Sequence, residues 1–393
     1  MHPNTIKNYC PDLYHGLYLE KFDQNQTKIG NCCLQPRNGP VEYLDFDHPF
    51  LTRDRQYLES VGELPPSCGI CKNSEDIGVT SKRLDLNRRN DQYGIISDFT
   101  PVLRDLNYNC DNICNLKCIT CDSSNSSAWI DDEVKMGKRT QIKIKHTKHN
   151  QLTFGLDISQ LALIVFNGGE PLMTLDHFTL LDYVISQGVA KQVALNYNTN
   201  ATFPVTDRMV EYWKQFLHVQ LSASIDGTEE CFQYTRFPAK WDEVYKNLIQ
   251  YKSLPGVGVY ISVTVGLHNI LYMDSLLQWA ADHDYPLRFN ANAQGILNLK
   301  NFPMAYKGHL LTYLTQLPEY PRAGDSADIC AELFDIVENV VTENSADIVW
   351  IQYLDQLDVI RDTKWRNSLS RLYQLDPVYF DSISRPNPSR LAQ

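Results

Sequence analysis

The sequence predicts an α/β protein: an open, parallel (β/α) barrel, preceded by a cysteine-rich segment and followed by helices. Three observations carry this. Six strand-like runs alternate with helix-like runs over 102–292, which is the order of parallel βαβ units. One of them, LALIVF (161–166), is a continuous apolar run, as expected of a strand buried on both faces. Upstream, residues 1–98 hold few periodic segments but five of the eleven cysteines.

In that first segment, loops and short strands dominate. RDRQYLESV (53–61) predicts a helix, stopped by Pro65-Pro66. A loop-rich region of this size needs a metal to hold it together. The barrel strands are VLRDLNYNC (102–110), LALIVFNG (161–168), QVALNYNTN (192–200), VQLSASIDG (219–227), VYISVTVG (259–266) and PLRFNAN (286–292). Helices are expected at HFTLLDYVISQG (177–188), DRMVEYWKQFL (207–217), KWDEVYKNLIQYKS (240–253) and LYMDSLLQWAADH (271–283). GHLLTYLTQL, DICAELFDIVENVV and WIQYLDQLDVIRDTKWRNSLSRLY are amphipathic at helical spacing and are expected to pack on the barrel's outside. The domain division is therefore 1–98, 99–304 and 305–393.

Composition narrows the function. The chain of 393 residues is 43% hydrophobic and 21% charged, with mean hydropathy -0.35, as in globular proteins. No apolar run reaches the ~18 residues of a membrane span. MHPNTIKNYCPDLYHG has no basic stretch followed by an apolar one, so a signal peptide is not expected and a cytoplasmic location is. The net charge of -11 argues against broad nucleic-acid or anionic-membrane binding. The basic stretch KMGKRTQIKIKHTKHN (135–150) is expected to be an exposed hairpin, either a solvated insertion or a device that steers an anionic substrate.

Eleven cysteines in a cytosolic chain point to metal or catalysis rather than disulfides. CDNICNLKCITC holds Cys110, Cys114, Cys118 and Cys121. The spacing Cys114-x3-Cys118-x2-Cys121 lets three thiolates hold three corners of a [4Fe–4S] cube and leaves one iron open to an exogenous ligand. No histidine follows within the next twenty residues to complete a mixed zinc site. Leu106, Tyr108 and Cys110 share one strand face, which makes Cys110 an inward core thiol. Cys231 and Cys330 are expected to be core thiols as well.

CNLKCITC followed by FNGGEP (166–171) resembles the radical S-adenosylmethionine (SAM) enzymes. The resemblance implies a partial (β/α)6 barrel and a [4Fe–4S] cluster whose unique iron binds the amino and carboxylate groups of SAM. One electron then cleaves SAM to methionine and a 5′-deoxyadenosyl radical, which abstracts hydrogen from a substrate. Cys114, Cys118 and Cys121 would be the cluster ligands. Gly168 and Gly169 would allow close backbone approach, Glu170 would accept from the methionyl ammonium, and Pro171 would fix the turn. Asn198 and Asn200 resemble the polar SAM contacts after the third strand. Ser222 and Ser224 resemble ribose and carboxylate contacts; Asp226 either joins them or caps the next turn. Arg236 resembles an arginine that pairs with the SAM carboxylate, with a surface salt bridge as its alternative. His268-Asn269 and Gly295-Ile296 resemble the positions that face adenine. Thr120 departs from the large apolar residue often found before the third cysteine.

The amino-terminal cysteines resemble a second element of this superfamily, the twitch (SPASM-like) segment of phage and bacterial radical SAM proteins, which binds an auxiliary [4Fe–4S] cluster. On this sequence its ligands are Cys10, Cys33, Cys68 and Cys71. Cys32 competes with Cys33, and zinc competes with iron–sulfur. Gln24-Asn25-Gln26 stands where an Asp-Gly hairpin turn is usual. The resemblance implies a substrate that is a peptide or a small molecule, and a reductant such as flavodoxin or ferredoxin. A nucleic-acid-modifying radical enzyme and a non-catalytic iron–sulfur or zinc scaffold are the alternatives.

Overall fold

The structure is a computed structural model that describes residues 9–23, 26–41, 43–76, 80–92, 98–109, 111–138, 155–290, 295–317, 329–341 and 347–383. Cys110, the turn residues Gln24 and Asn25, and most of the basic stretch 135–150 lie outside them. The chain forms two compact units. One comprises Met1–Ile113, Ile144–Asn198 and Val205–Gln220; the other comprises Cys114–Lys143, Thr199–Pro204 and Leu221–Gln393.

The first unit is built on β1 (Gly16–Asp23), β2 (Gln26–Gly30), β3 (Asn38–Val41), β4 (Asp105–Asn109), β5 (Leu163–Asn167) and β6 (Ala194–Thr199). They are hydrogen-bonded in the order β3-β2-β1-β4-β5-β6. β1–β3 form an antiparallel meander, while β1 also runs parallel to β4, β4 to β5 and β5 to β6. The amino-terminal hairpin thus joins the same sheet as the first barrel strand.

Register aligns two same-face rows across this sheet. Leu17, Leu106, Ile164 and Leu195 form one; Leu19, Tyr108, Phe166 and Tyr197 form the other. All eight are buried. The opposite face carries Asn107, Val165 and Asn196 in register. β5 therefore alternates, with Leu163 and Val165 half-buried, rather than being buried on both faces. The apolar run read as two-sided because Val165 lies between polar neighbours that only the register reveals. Phe166 stacks on Tyr197 at 4.5 Å, and His177 meets both edge-on at 5.8 and 5.6 Å.

The helix Pro49–Val61 extends the predicted one at its start, where His48 Nδ1 accepts from Phe50 N (3.2 Å) and Pro occupies the first helical position. Gly62, at φ 76°, closes its end. Buried Arg55 donates to Leu13 O (2.6 Å) and Phe46 O (2.9 Å), so the helix holds the turn that precedes β1. Helices Gly69–Asp76 and Lys82–Gln92 occupy a stretch that sequence reads as loop. They lack an apolar period because charge contacts position them: Arg83 pairs with Glu75 (2.6 Å) and donates to Tyr9 O (3.0 Å), and Lys82 pairs with Asp12 (2.6 Å).

The second unit contains the end of β7 (His218–Ser224), β8 (Val257–Thr264) and β9 (Leu287–Asn290), in that order. β8 and β9 are parallel, with Ile261 opposite Leu287. Helices Trp241–Lys252 and Met273–Asp282 follow β7 and β8 in the chain. From β4 to β9, strand and helix alternate as in a (β/α)6 half-barrel, and the chain is α/β with mostly parallel strands. The carboxy-terminal part is helical. The run read as a single helix over 350–373 breaks after the helix Asp347–Arg361. There Asp358 accepts from Thr363 Oγ1 and from Trp365 N, both at 2.8 Å, which turns the chain. Trp350, Trp365 and Phe380 then pack edge to face at 5.8–5.9 Å. No helix among the described residues is long and apolar enough to cross a membrane.

Burial lowers the pKa of His177 to about 4. Between an unfolded value near ~6.5 and that figure, the unfolded chain binds a proton that the folded one does not. Stability should therefore be intact above about pH 6.5 and fall by up to about 3 kcal/mol as pH drops towards 4. Urea titrations across this range should show a shallower loss in His177→Phe; an unchanged slope would mean that other groups carry it.

Candidate functional site

In the second unit the Cys114–Cys121 loop has little regular structure, yet several of its backbone groups are anchored by other parts of the chain. Lys117 N donates to Phe237 O (2.6 Å) and Ile119 N to Thr235 O (2.9 Å). Trp129 Nε1 donates to Cys118 O (2.9 Å), Ser126 Oγ to Leu116 O (2.5 Å), and Tyr353 Oη to Ile119 O (2.8 Å). Leu116 and Ile119 are buried between the cysteines, so the thiols take the remaining positions. Arg361, from the helix Asp347–Arg361, pairs with buried Asp132 (2.8 Å) and lies over the Trp129 ring. The carboxy-terminal helix thereby braces the loop from behind.

Two sequence-predicted residues aim donors at these sulfurs. Arg236 Nη1 lies 3.8 Å from Cys118 Sγ, and Asn200 Nδ2 lies 3.7 Å from Cys114 Sγ. Burial raises the Cys118 pKa while the Arg236 charge opposes it. Burial and the neighbouring thiols raise Cys121. Thiols held this way ionise when a metal supplies the compensating charge.

The remaining expected contacts divide. Arg236 Nε is 2.8 Å from Asp226 Oδ2 with both side chains largely buried, so this is no surface salt bridge. Asp226 Oδ1 accepts from Thr264 N (2.8 Å), tying the ends of β7 and β8 together instead of capping the following turn. Asn269, expected to face a cofactor, spends its amide on the backbone: it donates to Asp226 O and Thr264 O and accepts from Gly266 N. It is fully buried and acts as a brace. His268 beside it is fully buried, and burial lowers its pKa to about 4. Ser222 is buried and Ser224 half-buried on the face they share. Gly295 has φ 70° and open space where a Cβ would stand.

In the first unit, FNGGEP follows β5. Gly168 has φ 125°, and a Cβ there would lie 2.6 Å from Asp111 O; at Gly169 it would lie 2.1 Å from Ile113 O. Only glycine permits this approach. It lets Gly169 N donate to Asp111 O and Glu170 N to Ile113 O, both at 2.8 Å. Glu170 is fully buried and accepts from Leu172 N (3.0 Å), capping the short turn Pro171–Met173. Asn198 donates to Asn167 Oδ1 (2.5 Å).

The amino-terminal thiols also lie in the first unit. Cys10, Cys32, Cys68 and Cys71 line one cavity, all buried and none in a disulfide. Cys33, the expected ligand, is half-exposed and does not line it. The reason is local. The loop after β2 turns at Cys32, whose Sγ accepts from Leu34 N (3.4 Å), while Arg37 ties the loop by donating to both the Cys32 (3.4 Å) and Cys33 (2.7 Å) carbonyls. Gln35 donates to Cys68 Sγ (3.4 Å). Burial pushes Cys32 up to about 12 and Cys68 up to about 11, and raises Cys10 and Cys71. N–H donors to sulfur fit an iron–sulfur cluster. Among the described residues, no three His, Cys, Asp or Glu side chains gather as ligands of a single ion would. Four thiolates are a donor set that either an iron–sulfur cube or zinc can use.

No family model matches the chain. Over 176 residues it is 25% identical to mycofactocin maturase MftC of Mycobacterium tuberculosis, strains CDC 1551 / Oshkosh and ATCC 25618 / H37Rv. The match covers 44% of this chain and 41% of that protein, so the chain spans less than half the length of the curated relatives it matches. Among solved structures, native anSMEcpe with bound AdoMet aligns at TM-score 0.36 and 16% identity, over 55% of this chain and 58% of that one. Streptococcus suis SuiB bound to precursor peptide SuiA aligns at 0.37 and 13%, over 78% and 69%. The similarity to the maturase and the CxxxCxxC and GGEP motifs support a relation to the radical SAM superfamily.

Gly169→Ala should destabilise the protein by about 1–3 kcal/mol, because backbone rather than a flexible side chain blocks the added methyl. Gly308→Ala, in the exposed helix Lys307–Leu314 with nothing within 4 Å, should be neutral or stabilising by up to about 1 kcal/mol. Equal urea midpoints for the two variants would contradict the close approach.

Proposed function

We propose that this chain is a radical SAM enzyme that modifies a peptide, with a SAM-binding cluster on Cys114, Cys118 and Cys121. The anchored three-thiol loop, with Arg236 and Asn200 donating to its sulfurs, carries this reading. When bound, the cluster supplies the electron that cleaves SAM to methionine and a 5′-deoxyadenosyl radical, which takes hydrogen from the substrate. The chain's residues hold and orient. Arg236, fixed by Asp226, places a cation beside Cys118. Asn200 orients Cys114, and its carbonyl is held by Thr202 N (2.9 Å). By the motif resemblance, Gly168 to Pro171, with Glu170 as acceptor, and Asn198, Ser222 and Ser224 are the residues assigned to SAM.

The amino-terminal segment 1–98 serves an auxiliary [4Fe–4S] cluster on Cys10, Cys32, Cys68 and Cys71. Residues 99–304 form the barrel, and 305–393 brace it. With four protein thiolates, the auxiliary cluster is closed to substrate and exchanges electrons only. The acidic chain disfavours a polyanionic substrate, which favours a peptide over a nucleic acid, and a relative similar over 44% of this chain is a maturase. A flavodoxin- or ferredoxin-type protein is the proposed reductant.

Anaerobic reconstitution followed by SAM and dithionite should yield 5′-deoxyadenosine and about eight irons per chain, two cubes' worth. Cys118→Ala should lose deoxyadenosine while keeping about four irons. Deoxyadenosine with zinc at the amino-terminal thiols would keep the enzyme and remove the auxiliary cluster. No deoxyadenosine at all would leave a scaffold protein.

The ligand choice has its own test. Cys32→Ser should lose about half the iron, and Cys33→Ser should lose none. The reverse pattern would restore Cys33 as the ligand.

A further inference from the structure

Besides its four thiols, the amino-terminal cavity is lined by an ion pair. Lys82 Nζ lies 2.6 Å from Asp12 Oδ2, with the Lys82 side chain 27% and the Asp12 side chain 4% exposed. Arg83 also lines the cavity, but Glu75 engages its guanidinium through two bonds (3.0 and 2.6 Å). The pair is neutral as a whole, but it places one cation and one anion in the same cavity as the four sulfurs.

We propose that Lys82 and Asp12 set the reduction potential of the iron–sulfur cluster held by Cys10, Cys32, Cys68 and Cys71, each pulling in the opposite direction. The inference rests on the iron–sulfur reading of that site. A cube with four thiolates is negatively charged and gains a further negative charge on reduction. A cation beside it favours the reduced form and raises the potential; an anion lowers it. Asp12 is buried and Lys82 partly so, which weakens screening by salt, most of all at Asp12. The Leu34 N and Gln35 donors to sulfur act in the same sense as Lys82. Lys82 and Asp12 are thus positioning residues that tune electron exchange without touching substrate.

The test uses full-length protein carrying Cys114→Ala, Cys118→Ala and Cys121→Ala, so that only the amino-terminal site holds iron. After anaerobic reconstitution and an iron count, a redox titration followed by electron paramagnetic resonance reads the potential. Lys82→Met should lower it, Asp12→Asn should raise it, and Lys82→Arg should leave it near the parent value. Added salt should not erase the shifts. Loosened packing alone would not produce opposite signs from the two halves of one pair. If Lys82→Met fails to hold iron, Asp12→Asn decides: a raised potential supports the inference and an unchanged one overturns it. Shifts of the same sign, or none, with about four irons bound would overturn the ion-pair role and leave the cluster standing. A parent protein without iron would overturn the cluster reading and this inference with it.

Discussion

A buried thiol stays protonated unless positive charge compensates it, and both cysteine groups of this protein are built on that constraint. Burial raises Cys10, Cys32, Cys68 and Cys71 in one place and Cys118 and Cys121 in the other. Each group is then given donors aimed at sulfur: backbone and amide N–H at Cys32 and Cys68, a guanidinium and an amide at Cys118 and Cys114. Such donors would stabilise thiolates, the form in which cysteine binds a metal.

The two groups solve the positioning problem differently. The Cys114–Cys121 loop follows no regular secondary structure, so its carbonyls and N–H groups are met one by one, by Phe237, Thr235, Trp129 and Tyr353. The carboxy-terminal helices are therefore part of the scaffold of this loop, through Tyr353 and Arg361, and not mere outer packing. The amino-terminal thiols sit on two short helices and a strand end. Polar residues tie these elements together, with Gln35 bonded to Asp54 (3.1 Å), Ser67 (3.2 Å) and Cys68 at once.

Much of this was legible in the chain. The strand-and-helix alternation, the three-cysteine spacing and the GGEP turn all depend on local patterns, and local patterns are written in consecutive residues. The glycines were readable for the same reason: a motif of two glycines at a strand end means close approach. What they approach, Asp111 to Ile113, was not readable, because that contact joins two strands far apart in sequence. Helices 69–76 and 82–92 were missed since ion pairs, not an apolar period, define them. The break at Asp362 was missed because the signal is Asp358 reaching forward to Thr363 and Trp365.

By itself the sequence determined the class of fold, the thiols available for metal and the motifs that resemble a radical SAM protein, since each rests on residue type and short spacing. Only the tertiary structure shows that Cys32 is buried in the cavity with Cys10, Cys68 and Cys71 while Cys33 is half-exposed, since one residue along a turn reverses which sulfur faces inward. It alone turned Asn269 and Asp226 into braces and set Arg236 beside Cys118, because hydrogen-bond partners are a property of what folds against a residue, not of its neighbours in the chain.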